Sequence, residues 1–307
     1  MKKALLSALA ICMICLASCN KDKDSNNGGT PGGTQTVLKK ISQVHYDEFY
    51  QSWSSEDYGE TWTLNSSSNY SDKDRWEWDG DKIKRIKNYN NNGILSYMEE
   101  FFYNSDNLVS EIRETECKDN DSWSIKFSYT NKRLSNIEFF EDGYEVEKWN
   151  VTCDSEGKII KFKLAYVSDW KSEKIHRSNF LKDVKNTRDV GDELTFKWEN
   201  GNVVEVTVFD ADDLETYTKR YIYDNAANPY HGNNSLLCKN LFDEDLERMS
   251  KNNCTMIIED GEISEYEYNY YEDYPMEMIS GQAYQSDYAQ YMYKYNYTYT
   301  ISYSYVE

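Results

Sequence analysis

Cysteine, histidine and carboxylate side chains build most catalytic and metal sites, so their types and spacing set the first bounds on chemistry. The three histidines, His45, His176 and His231, lie far apart. None falls at the HExxH spacing that puts two imidazoles on one helix face to grip zinc. No GxSxG elbow, P-loop or GxGxxG turn is present. The 54 carboxylates let any two be nominated as the acid and nucleophile of a glycosidase. That abundance deprives the nomination of specificity. Residues Asn88 to Glu99 imitate a calcium loop, with Asn88, Asn90 and Asn92 at alternate places, Gly93 sixth and Glu99 last. Three amides carry little charge for a hard cation, and Asn91-Asn92-Gly93 reads as a hairpin turn. Asp210, Asp212 and Asp213 read as a solvated loop. These residues lead us to expect no metal, no cofactor and no catalysis; a hydrolase ranks below the non-catalytic readings.

Cysteine chemistry divides along the chain. Met1-Lys2-Lys3 is a short basic start, followed by an apolar run from Ala4 to Ala17 broken only by Ser7. That run is shorter than the roughly 20 residues a spanning helix needs and has the proportions of a signal peptide. It ends in Leu16-Ala17-Ser18-Cys19, which resembles a bacterial lipobox. The expectation is removal of residues 1–18 and acylation of Cys19, with burial of the lipid CH₂ groups holding the protein to a membrane. Asn20 is not the aspartate of an inner-membrane retention signal, and Lys21-Asp22-Lys23-Asp24 resembles a surface-export signal. An outer-membrane, lipid-anchored, surface location is expected, with a periplasm-facing orientation as the alternative. Ser25 to Gln35 is rich in Ser, Asn, Gly and Thr, so residues 19–36 form a flexible tether before a single domain over 37–307. In that domain lie Cys117, Cys153, Cys238 and Cys254, with no CxxC. Two disulfides are compatible in three pairings. Cys238 with Cys254 is the nearest pair, and free buried thiols are equally compatible.

The elements that must position these residues show in the aromatic pattern. Loss of residues 1–18 removes Lys2 and Lys3 and no acid, leaving 32 basic and 54 acidic side chains and a net charge of −22. Such a charge repels phosphate backbones, which argues against nucleic acid. Aromatic residues make up 15% of the chain and favour strands. A degenerate repeat of aromatic, turn and aliphatic pair runs through it, anchored at Trp78, Tyr103, Tyr129, Cys153, Trp198, Tyr223 and Tyr268. The spacings are 25, 26, 24, 45, 25 and 45 residues, so each long gap holds either a decayed copy or an insertion. Each unit reads as a β-hairpin with an Asp, Asn or Gly turn. A lone hairpin is marginal, so the units must pair. The fold class expected is all-β: an antiparallel meander of hairpin repeats, curled or sandwiched, with one or two short helices.

Ser235 to Ser250 carries Leu236, Leu237, Leu241, Phe242, Leu246 and Met249 near helical spacing and predicts an amphipathic helix packed on the sheet. Ser168 to Glu193, with Trp170, Ile175, Phe180 and Leu181, predicts a helix or a long hairpin. From Tyr291 to Tyr305 every odd residue is Tyr or Ile. That is a strand approaching 50 Å at about 3.4 Å per residue, so a bulge or bend is expected. An outer-membrane barrel strand would share the pattern, but the chain has no series of such segments and the lipobox already supplies an anchor.

These signatures together resemble an uncharacterised family of Bacteroidota lipoproteins with degenerate YD-like hairpin repeats. The residues that carry the resemblance are Tyr223-Asp224-Asn225, Asn228-Pro229-Tyr230, Ser250-Lys251-Asn252-Asn253, Tyr268 and Tyr274-Pro275, in that order. The likeness spans roughly residues 40–280 and leaves the Tyr-rich tail unmatched. It implies a β-rich surface or periplasmic domain and assigns no catalytic residue. The best functional hint is the aromatic surplus, since 14 of 28 tyrosines follow Glu265. Tyr and Trp on a sheet face, or in the stretch from Tyr50 to Tyr58, could stack on a glycan or a protein. Most of these rings are expected to be core or cross-strand ladders. A non-catalytic binding module for glycan or protein is therefore expected, with a structural subunit of an envelope complex as the alternative.

Overall fold

The computed structural model describes residues 39–56, 61–119, 121–168, 190–259, 261–288 and 291–306. The signal segment, Cys19, the tether, Tyr58, and the stretch 169–189 with Trp170 and His176 lie outside the described residues.

The strands follow the hairpin repeat. They are β1 Ile41–Ser55, β2 Thr63–Asp79, β3 Lys82–Tyr89, β4 Leu95–Tyr103, β5 Val109–Glu116, β6 Ser122–Thr130, β7 Arg133–Glu141, β8 Tyr144–Cys153 and β9 Ile159–Val167. Then come β10 Glu193–Glu199, β11 Asn202–Phe209, β12 Thr216–Ala227, β13 Asn252–Glu259, β14 Glu262–Glu265, β15 Glu267–Tyr271, β16 Tyr274–Tyr288 and β17 Tyr291–Tyr305. Strands β14 and β15 run on as one line interrupted at Tyr266, whose N–H still donates to Thr255 O at 2.9 Å. Successive strands pair antiparallel, and β1 pairs with both β2 and β17, so the pairings form a ring. The thinnest seam is β9–β10, with three residue pairs.

The expected curl is thus a closed meander with the apolar face inside. Ile83, Ile86, Ile112, Ile125, Ile137, Trp149, Phe162, Leu164 and Leu194 are fully buried there. Between Ala227 and Asn252 the chain enters the ring as a plug: helix α1, Asn234–Asp243, and a 3₁₀ turn, Leu246–Met249. The helix is capped by Asn233, whose side chain accepts from the Leu236 N–H. The helix packs on the sheet as its apolar spacing predicts, and does so from inside the ring. Its Lys239 reaches Glu99 of β4 and its Phe242 stacks on Trp123 of β6 at 4.2 Å, while Arg248 lies over Tyr230 facing Tyr303 of β17. Helical spacing reports which side of a helix is apolar, not whether the partner sheet is open or closed.

One device recurs at the end of the barrel where the plug enters. Trp76 pairs with Ile86 but Trp78 with Ile83, so four residues oppose three. The same bulge sets Tyr103 against Val109, Tyr129 against Leu134, Cys153 against Ile159 and Trp198 against Val203. Each anchor then donates a hydrogen bond to a main-chain carbonyl of the preceding unit. Trp78 Nε1 reaches Ile41 O at 2.7 Å, Tyr103 Oη reaches Ile83 O at 2.6 Å and Tyr129 Oη reaches Val109 O at 2.8 Å. Trp198, Tyr223 and Tyr268 do the same to Ile159, Val203 and Cys254, at 2.7, 2.7 and 2.9 Å. Cys153 Sγ points at Leu134 O at 3.5 Å, and Tyr305 Oη reaches Pro275 O at 2.6 Å. The ladder skips no unit, so the two long gaps in the repeat are insertions. One is the plug; the other falls largely outside the described residues.

The turns explain the Asp or Asn that follows several anchors. Asn104 and Asp154 accept, through one side-chain oxygen, from the N–H groups two and four residues on. Gly157 closes the second such turn at φ +91°, where a side chain would be strained.

Candidate functional site

The plug and its surroundings hold a cluster of buried charged residues. Lys239 is 4% exposed and bonds Glu99 at 2.9 Å and Asp243 at 2.5 Å. Burial pushes the Glu99 carboxyl up to about 8, against the pull of Lys239. Against the opposing effect of burial, Asp243 first and Glu99 after it raise the Lys239 ammonium pKa, so it stays charged. Beside them Asp74 accepts from Tyr46 Oη at 3.0 Å and from Asn88 Nδ2 at 2.9 Å, and its pKa is raised by burial. Further along the plug, Arg248 pairs with Asp245 at 2.6 Å and lies 4.4 Å from the Tyr230 ring centre.

Between the plug and β13–β17 lies a cavity of about 370 Å³. Its aromatic walls are Tyr230, Tyr266, Tyr268, Tyr297, Tyr299 and Tyr303. Asp245, Glu247 and Arg248 line one side, with Asn228, Asn253, Ser264 and Ser280 between. Ring faces beside amide, hydroxyl and carboxylate groups suit a ligand with apolar faces and polar edges. Burial pushes the Tyr266 and Tyr303 phenols up to about 12, so they stay protonated donors at physiological pH. The pairing registers place Tyr303, Ile301, Tyr299, Tyr297 and Tyr295 of β17 on the lumenal face, with Tyr46, Glu48 and Tyr50 of β1 beside them. Tyr46 stacks on Tyr299 at 6.3 Å and Tyr50 on Tyr295 at 6.2 Å. Burial and a hydrogen bond to Glu48 push the Tyr297 phenol up.

Four strands carry this face beyond the barrel. β1, β16 and β17 have 15 residues each and β2 has 17, against seven to ten for β3 to β11. β17 carries no bulge against β16: it keeps register from Tyr291 to Ser302, and the shift lies in β1 at Ile41/Gln43. A neighbouring long strand on each side supports the backbone over that length.

The outside of the wall is charged. Lys87 bonds Glu77 at 2.6 Å, Arg85 Glu100 at 3.0 Å, Lys148 Glu138 at 2.5 Å, Lys163 Glu193 at 2.7 Å and Arg220 Glu205 at 3.1 Å. A lipid-spanning barrel has the reverse arrangement, apolar outside and polar within. This wall faces water.

Sequence-nominated residues fall in several places. Cys238 and Cys254 do not form the nominated disulfide; both are free thiols. Cys238 faces Tyr129 Oη at 3.3 Å from within α1, and Cys254 bonds Met256 O from β13. Closeness in sequence did not reveal that one lies on the plug and the other on the wall. The calcium-like stretch is a hairpin: Asn90 caps its own turn through the N–H groups of Asn92 and Ile94, and Glu99 goes to Lys239. Asp210 likewise caps a turn, accepting from Asp212 and Asp213. The late motif residues stitch the plug to the wall. Asn228 donates to Arg248 O and Ser250 O, Ser250 Oγ accepts from Val203 N and bonds Tyr223 Oη, and Asn252 exchanges bonds with Asn202. Trp53 and Trp62 face Lys294 at 4.9 and 4.5 Å, away from the cavity. Sequence reasoning missed Asp245, Glu247 and Arg248, since the insertion that carries them showed only its apolar spacing.

No family model and no curated protein matches the chain. Among solved structures it is similar to a porin-like protein from Bacteroides uniformis, at 10% identity over 87% of this chain and 98% of that one, with a TM-score of 0.49. A porin-like protein from Bacteroides vulgatus matches at 11% identity over 87% and 99%, with a TM-score of 0.30. Ail, the attachment invasion locus protein of Yersinia pestis, matches at 8% over 86% and 98%, with a TM-score of 0.15. At such scores these likenesses bear no weight; the fold rests on the pairings described above.

Proposed function

We propose that the protein is a lipid-anchored lipoprotein of the outer envelope, related to the YD-like lipoproteins it resembles, that binds glycan in its lumenal cavity without catalysis. The observation that carries this reading is the cavity wall of six tyrosines interleaved with amide, hydroxyl and carboxylate groups. Sugar rings present apolar faces to aromatics and hydroxyl edges to polar groups, which is the pattern lining this space. The exposed large apolar residues, among them Tyr144, Leu214, Ile263 and Tyr271, come from separate strands and turns, which gives less support to a protein partner. The lipobox at Cys19 supports the anchor.

The test is capture from envelope and dietary polysaccharides by the chain as isolated from cells. Capture that a soluble oligosaccharide competes away is expected. Recovery of a stoichiometric envelope protein instead, or no capture at all, would turn the assignment to a structural subunit. For the anchor, Cys19→Ser is expected to abolish labelling by a fatty-acid analogue and to move the chain to the soluble fraction.

A further inference from the structure

We infer that the ligand is a linear, uncharged oligosaccharide, threaded end-on into the cavity and held along the tyrosine row of β17; this rests on the glycan reading of that cavity. The cavity does not end at its own walls. Tyr303 is 5% exposed and sits deep inside, while Tyr299 and Tyr297 still line the space and Tyr295 lies past it on the same face. Alternate residues of a strand share a face about 6.8 Å apart, so Tyr303 to Tyr295 covers about 27 Å. That is far longer than one sugar ring. The neighbouring strands add partners for hydroxyl groups along the same face: Ser280 beside Tyr299, Glu48 between Tyr299 and Tyr70, and Ser68 opposite Tyr50. On β1, Tyr46 and Tyr50 lie four residues apart and widen the aromatic strip where they stack on Tyr299 and Tyr295.

Charge selects among chains of sugars. The acids on this face are Glu48, Asp72, Asp74, Asp245 and Glu247. Among the described residues Arg248 is the cation lining the cavity, and Asp245 already holds it at 2.6 Å. A uronate or sulfate would enter a field of its own sign. A neutral chain meets rings, hydroxyls and carboxylate acceptors. Val306 N bonds Lys40 O at the plug end of the barrel, and from there the row runs along β17 past the cavity to Tyr295.

The test is titration calorimetry of the isolated chain with neutral linear oligosaccharides of two to eight units, in β-1,4-glucose, β-1,4-mannose and α-1,4-glucose series. Affinity should rise with length in at least one series. Tyr295→Ala should weaken the longest member of that series about three- to tenfold, the contribution of one aromatic contact, and leave the disaccharide within twofold. Disaccharide and octasaccharide binding equally, with Tyr295→Ala without effect, would overturn the threading inference and leave the cavity reading intact. No series binding at all would overturn both. A uronate or sulfated chain of equal length binding more tightly would overturn the neutral-ligand inference. Dimerisation that Tyr295→Ala abolishes, read by sedimentation of the same samples, would assign the row to a second copy and overturn threading.

Discussion

Tyrosine does two different jobs at the two ends of this barrel. At the plug end, Tyr103, Tyr129, Tyr223, Tyr268 and Tyr305 each give their hydroxyl to a carbonyl of the preceding unit. Three of them also hold the plug: Tyr103 through Ser235, Tyr129 through Asn234 and Tyr223 through Ser250. At the extended end, Tyr295 meets another ring, Tyr50, on a long strand next to a cavity. The residue type is the same, and the backbone beneath decides the role. A bulge takes a carbonyl out of its ladder and calls for a donor, whereas an unbroken strand needs nothing from its side chains.

The first way to break this contrast is at the plug itself. Lys239→Met leaves Glu99 and Asp243 facing each other without their shared cation, and the loss of a buried partner costs about 3–5 kcal/mol. Chemical unfolding measures it; a loss below about 1 kcal/mol would mean the plug is not held electrostatically. Next come the anchors. Tyr129→Phe and Tyr223→Phe keep the rings and leave Val109 O and Val203 O without their donors, at a cost of about 1–3 kcal/mol each.

A pH series sharpens the contrast further. The Glu99 carboxyl rises from 4.5 to about 8 on folding, so between those values the folded state binds more protons than the unfolded one. Stability from this group is therefore fully present below pH 4.5 and lost as pH climbs through 8. Glu99→Gln is expected to flatten that decline in thermal midpoint, and an unchanged slope would show that Glu99 is not its source. The smallest effect belongs to the extension: Tyr295→Ala should cost no more than about 1 kcal/mol, the worth of its cross-strand stacking on Tyr50. A loss comparable with the anchors would give the row a structural role.

The anchors were legible in the sequence because their spacing repeats and their neighbours alternate. What they do was not, because the group they serve is a carbonyl, present in every residue and visible in none. The donor requirement was there in outline: the anchors are Tyr, Trp or Cys, and none is Phe. The last rung was missed, since Tyr305 reaches Pro275 of β16 from a tail where every odd residue is Tyr or Ile and no single anchor stands out. The plug helix was legible from Leu236 to Met249, but its enclosure was not, because a closed sheet and an open one share the same alternation. The cavity escaped for the same reason. Its walls come from β13 to β17 and the plug, which meet only when the ring closes.

The most direct measurement is thermal unfolding of the isolated chain carrying either Tyr223→Phe or Tyr295→Phe, two substitutions that each remove one oxygen. A clear drop in midpoint for Tyr223→Phe and none for Tyr295→Phe is the predicted result. Equal midpoints for the two would contradict the division of labour between the bulged rim and the extended face.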